Sequence, residues 1–286
     1  MISDITLGQY FPGTSVLHKL DPRTKIILAT LFIVAVFLAN NFVAFSILII
    51  ATIALIAISG ISFSVVLKGV KPIVFILIFT SLINLFLTVG EGEPLFSLWI
   101  IKIYKEGIIR AVFMSLRVII LIIGTSMLLT YTTTPISLTD GIESLLHPLK
   151  LIGVPVHMFA MMMTIALRFI PTLIEETEKI MNAQKSRGAD FTNGSLVKRA
   201  KALIPLLIPL FVSAFKRAEE LATAMECRCY RGDKNRTKLV RLKYGFSDFL
   251  WMFSFTLIFV GIILLRILPY QNEIANEIYK IIFYVI

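Results

Sequence analysis

The 286 residues are 57% hydrophobic and 16% charged, with a net charge of +10, three histidines and two cysteines. A mean hydropathy of +0.86 excludes an ordinary soluble domain and points to a polytopic membrane protein. The charge is uneven, with 17 of the 28 Lys+Arg and 10 of the 18 Asp+Glu lying between Pro135 and Gly245. A basic excess framed by apolar spans marks a membrane-side surface rather than a nucleic-acid groove.

The first twenty-odd residues are polar and carry Pro12, Gly13 and Asp21-Pro22, unlike a cleavable leader. Asp21 before Pro22 is the pattern of a helix N-cap with proline at the first helical position, so a helix is expected to start there. The apolar runs 26–38 and 42–58 flank the Asn40-Asn41 turn. The first is short for a span unless its lead-in helix continues into it. Lys68 and Lys71 precede Pro72, after which residues 73–89 read as a third span. Gly90-Glu91-Gly92-Glu93-Pro94 is an acidic loop rich in helix breakers. The short apolar piece 95–103, with Trp99 and Tyr104, is placed at the membrane interface. A fourth span covers about 108–131 and carries Arg110 and Arg117. An arginine at that depth needs protein or water beside it, and structural pairing or snorkelling is favoured over ligand binding. A fifth span covers 249–268, and the rest is a short amphipathic tail.

Between them, 151–169 and 202–215 are apolar but carry or adjoin dense charge. The first leads into Glu175-Glu176-Thr177-Glu178-Lys179, and the second is interrupted by Pro205 and Pro209. Long amphipathic surface helices are favoured, with a two-span hairpin as the alternative. The expectation is an all-α polytopic membrane protein of about five transmembrane helices. It divides into a four-span region at 1–134, a cytoplasmic or interfacial region at 135–245, and a span with tail at 246–286. Arg23, Lys25, Lys68, Lys71 and the basic stretch share one side, which the positive-inside rule makes cytoplasmic.

No phosphate-binding loop, His-Glu-x-x-His or nucleophile elbow occurs. Cys227 and Cys229 have no second pair, so neither a metal site nor a bound cofactor is expected. Two arginine-centred elements stand out, Ser186-Arg187-Gly188 and Cys227-Arg228-Cys229, whose arginines are 41 positions apart. Each reads as a helix end, where arginine complements the helix dipole and glycine caps. Arginine's planar fork also suits docking to carboxylates or carbonyl-lined grooves. Met158, Met161, Met162 and Met163 read as adaptable packing surface.

These elements carry a resemblance. Leu20-Asp21-Pro22-Arg23-Thr24-Lys25, Ala183-Gln184-Lys185-Ser186-Arg187-Gly188-Ala189-Asp190, and Ala224-Met225-Glu226-Cys227-Arg228-Cys229-Tyr230-Arg231-Gly232 with Asn235-Arg236-Thr237 resemble the transmembrane T component of energy-coupling factor (ECF) transporters. The resemblance covers nearly the whole chain. It implies a non-catalytic scaffold joining two ABC-type ATPase subunits to a substrate-binding S component for vitamin or micronutrient uptake. ATP and magnesium would be used by the ATPases. In that family two Ala-Arg-Gly signatures end coupling helices and dock on the ATPases. By position these become Ser186, Arg187 and Gly188, and Cys227, Arg228 and Cys229, with Arg231 and Gly232 as a rival for the second. The methionine cluster becomes a surface for S components. The competing readings are a self-sufficient secondary transporter or channel, which needs several ionisable groups at mid-membrane, and a membrane-embedded enzyme.

Overall fold

The computed structural model describes residues 10–88, 96–98, 101–189, 191, 195–232 and 242–267. Among these residues the regular structure is helical apart from one antiparallel strand pair, β1 (Phe96–Leu98) and β2 (Ile101–Ile103), in which Phe96 faces Ile103. The described residues of the apolar piece placed at the membrane interface are therefore two paired strands. Trp99, the Gly90–Pro94 loop and the tail beyond Ile267 lie outside the described residues. Contacts divide the chain into two units, one drawing on residues 10–134 and 242–267, the other on 135–232.

In the first unit, α1 (Val16–Lys19) leads into α2 (Pro22–Leu38). The expected cap is present, with Asp21 accepting the Arg23 N–H at 2.9 Å and Pro22 in the first turn. The lead-in does extend the first apolar run, but α2 is 17 residues. That is about 26 Å at 1.5 Å per residue, short of the ~30 Å hydrocarbon core. After the Asn40-Asn41 turn, α3 (Phe42–Ser59) ends on Gly60, whose φ of 70° gives the left-handed cap that glycine adopts without strain.

The next helix starts earlier than the sequence suggests. α4 (Phe63–Val70) passes through a 3₁₀ turn at Lys71–Ile73 into α5 (Val74–Leu87), so the apolar path runs 25 residues from Phe63 rather than from Ile73. Pro72 occupies the first turn of the 3₁₀ segment, where its missing N–H breaks no ladder. α6 (Lys105–Thr125) continues as a π-helical turn over Ser126–Thr130. α10 (Phe246–Ile267) also packs in this unit.

Among the described residues five helical stretches are long and apolar enough to cross a membrane: Phe42–Ser59, Phe63–Leu87, Lys105–Thr130, Val156–Ser186 and Phe246–Ile267. The number agrees with the expectation, but the set does not. Residues 26–38 drop out because α2 is short, and the stretch beginning at Val156 enters because its N-terminal half is apolar.

The core of this unit sits where α2, α3, α6 and α10 meet, around Leu28, Phe32, Val36, Leu48, Ile120 and Phe255. α6 runs antiparallel to α2. Lys25 Nζ donates to the Thr132 carbonyl at 2.8 Å near one end, and Arg117 Nη2 donates to the Ala39 carbonyl at 2.5 Å near the other. Between them Gly124 lies against the ring of Phe32, with no room for a Cβ. Arg117 also reaches Asn40 Oδ1 at 3.2 Å and lies over the Phe45 ring. It thus caps the α2 C-terminus with positive charge, which is the structural pairing expected of it.

α10 runs parallel to α2. The Asp248 carboxylate accepts the Asp21 N–H at 2.9 Å, and Asn41 Nδ2 donates to the Leu265 carbonyl at 3.5 Å. Asp248 also accepts the Gly245 N–H at 2.7 Å. Asp21, Lys25 and Asp248 are all buried. The Leu20–Lys25 element therefore forms a polar node joining α2, α10 and the end of α6, with every charge close to an opposite charge or a carbonyl.

Candidate functional site

The second unit holds α7 (Pro135–Leu146), α8 (Val156–Ser186) and α9 (Leu196–Cys227). A 3₁₀ turn over His147–Ile152 and Gly153 at φ 88° reverse the chain between α7 and α8. His157 Nδ1 then meets Glu143 Oε1 at 3.0 Å, joining the two helices. α8 continues through Pro171, and α9 through Pro205 and Pro209. Each proline withholds an N–H from the helical ladder, so packing rather than propensity sustains these two helices.

Both helices end in the same capping motif. At the end of α8 the Gly188 N–H donates to the Lys185 carbonyl at 2.9 Å and the Ala189 N–H to the Gln184 carbonyl at 3.0 Å. At the end of α9 the Cys229 N–H donates to the Glu226 carbonyl at 2.8 Å and the Tyr230 N–H to the Met225 carbonyl at 3.0 Å. This is the Schellman pattern, with Arg187 and Arg228 in the same cap position and the next residue left-handed. Gly188 has φ 85° and Cys229 φ 55°. Ser186, Arg187, Gly188, Cys227, Arg228 and Cys229 are all exposed. Arg231 and Gly232 lie past the cap, in chain that is no longer helical, so Arg228 holds the position equivalent to Arg187. Asp190 and Asn235–Thr237 lie outside the described residues.

The two helices pack antiparallel. Glu176, on α8, accepts from Ser213 at 2.5 Å and Arg217 at 2.8 Å, on α9. Tyr230, just beyond α9, donates its hydroxyl to the Met161 sulfur at 3.2 Å, near the start of α8. The arginine turns are thereby set at opposite ends of the pair. With Tyr230 beside Met161, Arg228 stands level with the first turns of α8, on the order of 35 Å from Arg187 along the axis at 1.5 Å per residue. Of the methionines singled out in the sequence, Met158, Met162 and Met163 are exposed, whereas Met161 is partly covered and engaged by Tyr230. Along α9 Leu203, Ile204, Leu207, Ile208, Phe211 and Phe215 are exposed as well, level with the C-terminal half of α8.

Sequence reasoning missed Glu176, Ser213, Arg217 and Tyr230. One signal was available: Glu176 and Arg217 stand 41 positions apart, the same offset as Arg187 and Arg228. No group of three or more His, Cys, Asp or Glu side chains with metal-binding geometry occurs among the described residues.

The profile of the CbiQ family, described as cobalt transport protein, matches residues 13–239, a span that includes both arginine turns. Curated relatives agree. The energy-coupling factor transporter transmembrane protein EcfT of Clostridium kluyveri is 53% identical over 250 residues, covering 87% of this chain and 92% of that protein. The chain belongs to the EcfT family. The EcfT protein of Thermosediminibacter oceani is 51% identical over 263 residues, 92% of this chain and 98% of its own length. That of Bacillus subtilis is 51% identical over 248 residues, 87% and 93% respectively. As a member of the EcfT family, with five helices among the described residues able to cross a bilayer, the chain is a multi-pass transmembrane component of an ECF-type transporter.

Proposed function

We propose that this chain is the coupling scaffold of an ECF-type importer, joining two ABC-type ATPase subunits to an S component that carries a vitamin or other micronutrient. One observation carries the reading: two exposed arginines occupy the same cap position of two like helices, at opposite ends of one antiparallel pair. Like turns at the two ends fit like sockets on two similar subunits. A guanidinium at a helix C-terminus keeps its fork free for bidentate bonds to a partner's carboxylates or carbonyls.

ATP and magnesium belong to the ATPases in this scheme, and the chain contributes no catalytic group. The positive-inside rule supports a cytoplasmic side for the arginine turns, where the ATPases would meet them. The exposed Met158, Met162 and Met163 are the surface offered to the S component. Flexible thioethers suit a face that meets more than one partner. Closure of the ATPases on ATP binding would move the two turns, and the helix pair would carry that motion to the S component.

The test is retention of the ATPase pair by tagged chain in mild detergent. Arg187→Glu combined with Arg228→Glu is expected to lose the ATPases while still inserting in the membrane. Truncation of a buried charge contact costs about 2–5 kcal/mol, so each single reversal should already weaken capture. Full retention and transport by the double variant would sink the docking assignment.

A further inference from the structure

A shift of 41 positions lays Val156–Ser186 of α8 on residues 197–227 of α9, matching the helices almost end to end. It takes Arg187 to Arg228, and it also takes Glu176 to Arg217 and Thr172 to Ser213. In the fold Glu176 and Arg217 meet, at 2.8 Å, with Ser213 bonded to the other carboxylate oxygen of Glu176. When equivalent residues of two antiparallel helices meet, a local two-fold axis passes through the meeting point. Each arginine turn lies 11 residues beyond that point on its own helix, roughly 16 Å away and in opposite directions. At such an axis an identical pair of helices would face like with like. Here the two positions carry opposite charges and attract.

We propose that Glu176 and Arg217, with Ser213, form the positioning contact that sets the span between the two arginine turns, so that both engage the ATPase pair at once. The proposal rests on reading the turns as docking points. Two docking points on one rigid body make the second engagement intramolecular, at an effective concentration fixed by how well their span matches the partner. Loosening the contact leaves each turn's own bonds intact and weakens only simultaneous engagement. The pair is only part-exposed, with side-chain accessibilities of 23% for Glu176 and 32% for Arg217, so reversing one charge sets like charges against each other with limited solvent between them.

The experiment titrates the premixed ATPase pair against full-length tagged chain in mild detergent. Glu176→Arg or Arg217→Glu alone is expected to weaken capture about ten-fold or more, a part of the roughly 10²–10⁴-fold that bivalence contributes. The exchanged double variant, Glu176→Arg with Arg217→Glu, is expected to recover it. In an Arg228→Glu background only one turn engages, and there Glu176→Arg is expected to change capture by less than about two-fold, as independent sites do. Equal losses in both backgrounds, or no recovery in the exchanged variant, overturn the proposal. Unchanged capture after reversing both Arg187 and Arg228 overturns the docking reading, and the positioning role falls with it. Glu176→Gln keeps the side-chain shape and supplies the same comparison where a charge reversal does not insert.

Discussion

Cys229 sits in left-handed backbone, φ 55°, where the matching turn has Gly188 at φ 85°. A Cβ in that region crowds the neighbouring carbonyl, at about 1–2 kcal/mol for a residue other than glycine. Nothing within 4 Å would meet a Cβ at Gly188, so at that turn conformation rather than space favours glycine. Cys229→Gly is therefore expected to stabilise the folded chain by about 1 kcal/mol, offset in part by the greater freedom of glycine in the unfolded chain. A rise in melting temperature in detergent would register it, and a fall would mean the thiol makes a contact that outweighs the strain. Asp248 presents a different case. Its two oxygens accept backbone N–H groups of Asp21 and Gly245 while Lys25 lies buried nearby. Asp248→Leu should destabilise by about 3–5 kcal/mol, since it strands a buried lysine and two amides. Reduced yield of folded protein by size-exclusion chromatography would show it.

α6 owes its fit against α2 and α5 to glycine at two points. Gly107 faces the Leu85 carbonyl, where a Cβ would stand 3.0 Å away, and Gly124 faces the Phe32 ring, where a Cβ would overlap. Phe32 is 2% exposed, so its ring has little freedom to move aside. Gly124→Ala is expected to cost about 1–3 kcal/mol, the usual range for overpacking a filled interior. Phe32→Leu in the same chain should recover part of the loss. Thermal unfolding of the two variants and their combination decides this, and additive losses would place the strain elsewhere. α8 and α9 follow another logic. Three internal prolines weaken their ladders, while Glu176, Ser213, Arg217, Tyr230 and Met161 bind them to each other.

Both units leave apolar surface open, around a filled core in the first and beside two arginine turns in the second. Such a surface on a membrane component is suited to lipid or to partner helices. Purified chain alone is expected to hydrolyse no ATP, with turnover appearing only when the ATPases are added. Measured phosphate release above the detergent blank from a clean preparation would contradict the scaffold reading.

The sequence by itself determined the class of the molecule, since 57% apolar residues in long runs leave few folds but a helical membrane protein. It also determined where α2 begins, because Asp21-Pro22 is a local signal read by the next turn, and where α8 ends, while the end of α9 was left between Arg228 and Arg231. The set of membrane-length helices was less legible. Pro72 suggested a start that a 3₁₀ turn absorbs, and the charges after Phe169 obscured how apolar the first half of α8 is. Tertiary structure alone decided which way α8 and α9 run past each other, that Met161 meets the Tyr230 hydroxyl, and that Arg117 caps α2. It also brought Glu176 to Arg217 across 41 residues of chain. Caps and hydropathy are local and act within a turn or a span, so they can be read in the sequence. Pairings between distant helices depend on how whole faces pack, and no short stretch of sequence records that.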